Sequence, residues 1–262
     1  MSFNIVKLAA LPISGFSFGL FGDGGAGKTT ILKTLPGEKT LYISIEGGED
    51  VLRNHSSLSV ARPEKPSERE PMVFKNDLDS IYAMLRFSKH DFSFVCLDSA
   101  SELEKYFQLS LAYGNRKDIP ALREYGQASE LVYKYLVQFR DLKISSNNEV
   151  GRPINTFFIF SEFPAEVSKS ETETTTKISP LVTGKLVKKV FAMCDVMARL
   201  EIEGNGERML RFQPTKDIVA KCRYQSLPPV IRGVGMDFDF YGKVITVIGK
   251  EIMTYKQEVK QK

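Results

Sequence analysis

The sequence predicts an α/β fold in which a mostly parallel sheet is flanked by helices and followed by a C-terminal β-hairpin and an amphipathic helix. Apolar strand-like runs alternate with helical runs through the first two thirds of the chain, which implies crossover connections. The strand-like runs are continuously apolar, as in a sheet that is covered on both faces. A glycine-rich segment also joins the first strand-like run to the first helical run.

The individual elements follow from local pattern, with β-prone apolar runs as strands and apolar residues at helical spacing as helices. Strands are predicted at residues 16–21, 40–45, 58–61, 92–97 and 156–160. Helices are predicted at residues 28–35, 77–87, 99–112 and 122–142. The first helix should end at Pro36-Gly37, because proline and glycine together are a strong stop signal.

The last third of the chain has a different pattern. Residues 164–181 are rich in Ser, Thr, Glu and Lys and predict a mobile loop or a hairpin. Apolar runs at 196–202 and 209–212 flank Gly204-Asn205-Gly206, which predicts a β-hairpin. Residues 243–259 place apolar side chains near one helical face. We expect one domain over residues 1–262, with a core at about 16–224 and an extension at about 225–262.

Composition narrows the class of protein. Lys and Arg exceed Asp and Glu by 36 − 32 = 4 residues, a mild surplus that permits a nucleic-acid partner without requiring one. Cys96, Cys194 and Cys222 are far apart, so we expect reduced thiols and a cytoplasmic protein. No apolar run approaches the roughly 18 residues of a membrane span, so we expect no membrane partner. The cysteines and the two histidines lack metal-binding spacing.

One nine-residue segment carries the clearest chemistry. It fits the pattern G-x-x-x-x-G-K-[ST] and lies between a predicted strand and a predicted helix. Glycines let backbone N–H groups converge on anionic oxygens, and the following helix would present its positive dipole end to them. The alternative is a glycine-rich turn followed by a chance Lys-Thr. The predicted phosphate loop consists of Gly22, Asp23, Gly24, Gly25, Ala26, Gly27, Lys28, Thr29 and Thr30.

Three residues of this loop have distinct expected roles. Lys28 would reach the β- and γ-phosphates of a nucleotide, with each charge-assisted hydrogen bond contributing roughly 1.5–3 kcal/mol. The Thr29 hydroxyl would ligate Mg²⁺, and Thr30 would pack behind it.

Two acidic residues follow predicted strands. Asp98 ends the apolar run "FSFVCLD" and would hold the Mg²⁺ shell against the phosphates; it could also cap the helix that begins near Ser99. Glu46 ends "LYISIE" at the edge where open α/β sheets bind ligands, and could polarise an attacking water. An ordinary solvated acid is the alternative for Glu46, as we expect for Glu49 and Asp50.

Together these segments resemble the RecA-like ATPases. "YISIEGGED" is similar to the RecA strand that ends in the catalytic glutamate, and "FVCLDSASEL" is similar to the Asp-Ser strand end and its helix. "AYGNRKDIPALREYG" resembles the first DNA loop in position, and "ETETTTKISPLVTGKLVKKVFAMCDVMARLEI" resembles the second DNA loop with the helix and strand that follow it. The resemblance covers roughly residues 16–224. Within the family, the compact length, "IEGG" and "AKCR" look most like phage-encoded RecA-related ATPases, including single-strand annealing proteins.

The resemblance implies roles for further residues. Glu46 would be the base that orients water. Glu162 occupies the place of a glutamine that senses the γ-phosphate in RecA, but a carboxylate cannot donate a hydrogen bond unless it is protonated. Lys221 and Arg223, in "AKCRY", would reach the γ-phosphate of a neighbouring subunit and stabilise transition-state charge. A solvated strand-end pair is the alternative for Lys221 and Arg223.

Two segments carry candidate contacts to single-stranded DNA. A basic cluster beside Tyr113 suits a strand whose phosphates are neutralised and whose bases stack. Taken alone, each cluster is also typical of a solvated protein face. The candidate DNA-binding residues are Arg116, Lys117, Arg123, Lys169, Lys177 and Lys185.

The resemblance therefore implies an ATPase that uses ATP and Mg²⁺ and acts on single-stranded DNA in phage-type recombination, annealing or replication. It would work in the cytoplasm of a bacterial host if it is phage-encoded. We expect head-to-tail self-association into a ring or filament, and a single-strand DNA-binding protein could be a further partner.

Two other functions stay open at the level of the sequence. One is an ATP-dependent switch that acts on a protein partner. The other is a small-molecule kinase, which the lack of an Arg-rich lid segment disfavours. A GTPase is disfavoured because no Asn-Lys-x-Asp motif follows Asp98.

Overall fold

The computed structural model describes residues 14–55, 57–144, 153–168, 174–235 and 237–261. They form an α/β fold around a mostly parallel sheet, which confirms the predicted fold class. The strands are β1 (Ser17–Gly22), β2 (Thr40–Ser44), β3 (Ser59–Ala61), β4 (Phe94–Asp98), β5 (Asn155–Ser168), β6 (Thr174–Pro180), β7 (Val196–Ile202), β8 (Arg208–Arg211), β9 (Lys221–Cys222) and β10 (Val230–Arg232). The α-helices are α1 (Val73–Phe87), α2 (Ala100–Gly114), α3 (Leu122–Asp141), α4 (Leu186–Met193) and α5 (Thr246–Gln261).

The strand order in the sheet is β10-β8-β7-β1-β5-β4-β2-β3. The central pairs β7–β1, β1–β5, β5–β4, β4–β2 and β2–β3 are parallel, whereas the pairs β7–β8 and β8–β10 at one side are antiparallel. Because parallel strands point the same way, β1, β2 and β4 all end at one edge of the sheet, which we call the carboxyl edge. The opposite edge, where these strands begin, is called the amino edge.

Both faces of the sheet are covered, as the continuously apolar strands predict. Successive side chains of a strand point to opposite faces. Leu41 and Ile43 thus belong to the core under α1, α2, α3 and α4, while Tyr42 belongs to the core on the other face. That second core is closed by α5, where Ile248 is fully buried.

At one segment the structure differs from the prediction, and at another it decides between two predicted alternatives. The helix predicted at 28–35 is one 3₁₀ segment, Thr30–Thr34. Pro36 follows closely and favours extended backbone at Leu35, so too few residues remain for an α-helix. The polar region at 164–181 belongs to a hairpin, because the second half of β5 pairs antiparallel with β6 from Glu162↔Pro180 onward.

The C-terminal predictions are confirmed. β7 and β8 form the expected hairpin, with Ile202 opposite Arg208. A π-helical turn at Tyr241–Ile245 leads into α5, which is the expected amphipathic helix. Among the residues that the structure describes, no helix is long and apolar enough to cross a bilayer.

Candidate nucleotide site

The loop after β1 forms a backbone cradle. Gly25 and Gly27 have φ angles of 76° and 100°, in the left-handed region that favours glycine. Cβ atoms placed on Gly24 or Gly25 would meet no atom within 4 Å, so the space in front of the loop is open to a ligand. Gly22 is required for packing instead, since its Cβ would lie 2.2 Å from the Leu200 carbonyl oxygen.

Lys28 folds back along this loop. Its Nζ donates to the carbonyl oxygens of Gly22 at 2.9 Å and Asp23 at 2.8 Å. Burial lowers the pKa of Lys28, while the nearby carboxylates of Asp98 and Glu46 act in the opposite direction. An ammonium held only by backbone carbonyls can exchange them for phosphate oxygens, which form stronger charge-assisted bonds.

Asp98 ends β4 and is buried beside the loop. Its Oδ2 accepts hydrogen bonds from the Thr29 hydroxyl at 2.5 Å and the Tyr42 hydroxyl at 2.6 Å. Tyr42 lies opposite Cys96 on the neighbouring strand, so its ring extends diagonally to Asp98. Burial and the Asp98 charge raise the pKa of Tyr42, which keeps its hydroxyl protonated and able to donate.

The second role considered for Asp98, as a helix cap, is wrong. Ser99 is the N-cap of α2, and its side chain accepts a hydrogen bond from the Glu102 backbone N–H. The Asp98 carboxylate therefore points to the phosphate loop instead of the helix.

Glu46 follows β2 and is exposed at the same edge. The backbone N–H groups of Ile45 and Glu46 both donate to the Asp98 carbonyl oxygen, at 2.7 and 3.3 Å. Glu46, Lys28, Thr29 and Asp98 line one cavity of about 350 Å³. The structure thus brings together the four side chains that the sequence assigned to phosphate, metal and water.

The acids next to Glu46 differ from each other. Glu49 is not the solvated neighbour that we expected, because it accepts hydrogen bonds from Ser44 and, at 2.5 Å, from Arg62. Asp50 is exposed, as expected, and pairs with Arg53 at 2.9 Å.

The donors at this edge fit a nucleotide together with Mg²⁺. Mg²⁺ prefers oxygen ligands, and it is held in proteins by one or two protein oxygens plus phosphates. The Thr29 hydroxyl donates its proton to Asp98, so its lone pairs are available to a cation. Thr29 would be the direct ligand, and Asp98 would orient it.

Glu162 is committed to an ion pair. Its two oxygens accept from Arg199 at 2.9 and 3.2 Å, and both side chains are largely buried. Arg199 also pairs with Glu201 at 2.5 Å. The neighbouring Ser161, and not Glu162, lines the cavity. A direct contact of Glu162 with a γ-phosphate would thus require this ion pair to open.

Lys221 is bound to the end of α4 within its own chain. Its Nζ donates to the carbonyl oxygens of Phe191 at 2.8 Å, Ala192 at 3.2 Å and Cys194 at 2.7 Å, and so closes the end of α4. These three bonds use all three donors of an ammonium group. Contact of Lys221 with the phosphate of a neighbouring subunit would require these three bonds to open, and the end of α4 would then lose this cap.

Arg223 lies at the amino edge, far from the phosphate loop of its own chain. Its Nη1 bonds to Asp195 at 2.8 Å, and Asp195 in turn accepts from the Ser17 backbone N–H at 2.9 Å, where β1 begins. The Arg223 side chain is 55% exposed, so part of it can face another subunit.

The first candidate DNA segment is tied to the start of α3. Buried Glu124 accepts from Lys117 at 3.1 Å, Asn115 at 2.9 Å and the Ala121 N–H at 2.9 Å. The hydrogen bond from Lys117 holds the pKa of Glu124 at about 2. The charge of Lys117 is therefore compensated inside the protein.

Four of the other five basic candidates lie within the described residues. Lys169 lies outside the described residues. Exposed side chains belong to Arg116, Arg123, Lys177 and Lys185.

Three contacts at the carboxyl edge had no signal in the sequence. Arg208, on β8, donates from Nε to the Ala26 carbonyl oxygen at 3.0 Å and lines a second cavity of about 120 Å³ beside the loop. The Tyr42 hydroxyl contact is the second. Third, the Ser101 hydroxyl accepts from the Ser161 N–H at 3.1 Å and donates to the Leu181 carbonyl at 2.8 Å.

Comparison with known proteins supplies the family. A search of the curated proteins finds no match for this chain. A family model described as an AAA domain matches residues 14–224, a range that contains the phosphate loop and both strand-end carboxylates. Because this match spans most of the chain, the protein belongs to the AAA-domain family of nucleotide-binding P-loop ATPases.

Proposed function

We propose that the protein binds ATP with Mg²⁺ at residues 22–30, hydrolyses it, and acts on single-stranded DNA as a RecA-like protein in phage-type recombination, annealing or replication. The observation that carries this proposal is the convergence of Lys28, Thr29, Asp98 and Glu46 on one cavity at the carboxyl edge. The RecA-like and phage-type parts rest on the sequence resemblance, above all on "IEGG" and "AKCR".

Each of these side chains has a distinct part in hydrolysis. Lys28 exchanges its two carbonyl partners for phosphate oxygens. Asp98 holds the Thr29 hydroxyl in place for Mg²⁺, which neutralises charge on the phosphates when it is bound. Glu46, exposed at the mouth of the cavity, takes the proton of the attacking water.

A chain of contacts supports coupling of the nucleotide to the β5–β6 hairpin. Ser161 lines the cavity, and its N–H donates to the Ser101 hydroxyl, which donates to the Leu181 carbonyl at the foot of the hairpin. A shift of Ser161 toward a phosphate would therefore change the position of Leu181 through these hydrogen bonds.

Helix α2 forms hydrogen bonds with the chain next to both candidate DNA segments. Glu104 of α2 accepts from the Ser129 hydroxyl of α3 at 2.5 Å and from the Thr183 N–H at 3.0 Å, just after β6. The start of α2 follows Asp98 directly. These contacts support an effect of nucleotide binding on the exposed Arg123 and Lys177.

Self-association is the second part of the proposal. We assign the contact with a neighbouring subunit's phosphate to Arg223, since Lys221 is held by the end of α4. Heterologous contacts of this kind generate rings or filaments.

The proposal is tested by the ATPase rate with and without single-stranded DNA, at two salt concentrations. We expect strong stimulation by DNA that weakens steeply as salt rises, because phosphate contacts release counterions. Arg123→Ala should reduce the stimulation, and Arg69→Ala, a change of an exposed arginine outside both segments, should leave it intact. An ATPase rate that is insensitive to DNA would contradict the DNA part.

One observation favours a protein partner as the second candidate. Ile119, between α2 and α3, is 77% exposed, and Leu122, the first residue of α3, is 90% exposed. Large exposed apolar side chains that cluster mark interaction sites. If DNA leaves the ATPase rate unchanged, an ATP-dependent switch that binds a protein through this segment becomes the better account.

A further inference from the structure

The Asp98 carboxylate is held by two hydroxyl groups, of which only one belongs to the phosphate-loop motif. Thr29 and Tyr42 donate to the same oxygen, Oδ2, at 2.5 and 2.6 Å. Because both bonds end on one oxygen, the carboxylate cannot rotate without losing both of them. Its orientation is therefore set jointly by the loop and by β2.

Tyr42 reaches this carboxylate from the core. The residue is 1% exposed and belongs to the buried cluster on the α5 face of the sheet. Its hydroxyl nevertheless lies at the floor of the site, since a Cβ on Gly48 would be 4.0 Å from it. Gly48 lines the cavity together with Lys28 and Thr29.

Packing does not require this hydroxyl. A phenylalanine has the same ring and would fill the same apolar space, whereas a buried hydroxyl without a partner is costly. Thr29 has a second task, because its oxygen is the expected Mg²⁺ ligand. The Tyr42 hydroxyl donates to Asp98 and lies beside the Thr29 hydroxyl, which donates to the same oxygen, so Asp98 is the charged group through which Tyr42 acts on the site.

We propose that Tyr42 is a positioning residue for the Mg²⁺ site, whose hydroxyl fixes the Asp98 carboxylate so that Asp98 orients the Thr29 hydroxyl for the cation. This inference rests on the proposed binding of ATP with Mg²⁺. It predicts that loss of the hydroxyl weakens the response to the metal and leaves metal-free contacts of the nucleotide intact.

The structure offers a matched control. Tyr135 is also fully buried, and its hydroxyl also donates to an aspartate, Asp79, at 2.6 Å. Asp79 lies on α1 and lines neither cavity of the candidate site. Tyr42→Phe and Tyr135→Phe each remove one hydroxyl–carboxylate bond and keep the ring, so a general effect on folding should be similar in both.

The test measures binding of ATP by calorimetry across a series of Mg²⁺ concentrations and in EDTA, for the wild type and both variants. We expect Tyr42→Phe to raise the Mg²⁺ concentration for half-maximal enhancement by about threefold to tenfold, the range of one lost hydrogen bond. Affinity in EDTA should stay at the wild-type value. Tyr135→Phe should match the wild type in both measurements.

A second background tests the route through Asp98. In Asp98→Asn, the further change Tyr42→Phe should shift the Mg²⁺ requirement by less than twofold, because groups that act through one another are not additive. Direct titration with Mn²⁺, followed by electron paramagnetic resonance in the presence of ADP, should rank the variants in the same order by their affinity for the cation.

The outcomes separate the two proposals. If the wild type binds ATP with Mg²⁺ and Tyr42→Phe has the same Mg²⁺ requirement as Tyr135→Phe, the positioning role is overturned while the proposed function stands. If the wild type binds no nucleotide with or without Mg²⁺, the proposed function fails and the inference fails with it.

Discussion

The two edges of the sheet both hold buried charge, but they hold it differently. At the amino edge, Asp195 accepts from Lys143 at 2.7 Å, from Arg223 at 2.8 Å, and from the Ser17 backbone and hydroxyl at 2.9 Å each. At the carboxyl edge, Lys28 is held by carbonyl oxygens and Asp98 by hydroxyls, around a cavity.

The difference separates a structural network from a binding site. Lys143 and Arg223, the two cations that contact Asp195, thus have an opposite charge of the same chain as their partner. Among the described residues, neither Lys28 nor Asp98 forms an ion pair, although both are close to each other. Charge that the protein leaves unpaired beside a cavity is available to a ligand with complementary charge.

The largest expected effect is on stability at the amino edge. Asp195→Asn removes the only anion that faces Lys143 and Arg223 in the described structure, and breaking a buried ion pair costs about 3–5 kcal/mol. Denaturant unfolding measures this loss, and ATP affinity should not change. Asp50→Asn removes one partner of an exposed pair and should cost less than about 1 kcal/mol. Equal losses would remove the distinction between buried and exposed pairs.

The next effect is on turnover at the carboxyl edge. Glu46→Gln should lower the ATPase rate about 100-fold, because the amide cannot take a proton from water. Nucleotide affinity should change by less than about twofold, since Glu46 is not expected to hold the phosphates. The control is Glu38→Gln, an exposed acid within the 3₁₀ turn Gly37–Lys39 before β2. A normal ATPase rate in Glu46→Gln would assign the base to another residue.

The pH dependence of stability should also show the contribution of Asp195 at the amino edge. Burial would raise the pKa of Asp195, but the hydrogen bonds from Lys143 and Ser17 outweigh it and hold the pKa below its ordinary value. A lowered pKa contributes stability above the ordinary value near pH 4, and this stability is lost as pH falls toward the folded-state pKa. Between pH 5 and pH 3, the free energy of unfolding should thus fall more steeply in the wild type than in Asp195→Asn. The difference between the two slopes should correspond to the uptake of about one proton on unfolding.

The smallest expected effect concerns Arg208, whose Nε supports the phosphate loop through the Ala26 carbonyl. Arg208→Ala should weaken ATP binding about threefold to tenfold, in line with one lost hydrogen bond. Arg69→Ala is the control, because Arg69 is exposed and lines neither cavity. An unchanged affinity in calorimetry would show that the loop keeps its shape without Arg208.

The features that could be predicted from the sequence depend on local sequence pattern. The phosphate loop, Glu46 and Asp98 each follow a strand whose apolar pattern is visible, and parallel strands bring such ends to one edge. The hairpin of β7 and β8 is visible for the same reason, since its turn lies between two short apolar runs.

What the sequence could not predict depends on contacts between distant segments. The resemblance implies a trans role for Lys221, but whether its ammonium is free depends on how β9 lies against the end of α4. Glu162 meets Arg199 only because β5 and β7 flank β1. The Tyr42 hydroxyl is invisible as a functional group, because a tyrosine in an apolar strand has the pattern of core.

The most direct measurement is calorimetry of ATP with Mg²⁺ on Lys28→Ala and Lys143→Ala, two partly buried lysines from opposite edges of the sheet. Lys28→Ala should lose about tenfold or more in affinity, since one to two charge-assisted hydrogen bonds disappear. Lys143→Ala should lose stability and keep wild-type affinity. Unchanged ATP binding in Lys28→Ala, or an equal loss in both variants, would contradict the assignment of residues 22–30 as the phosphate loop.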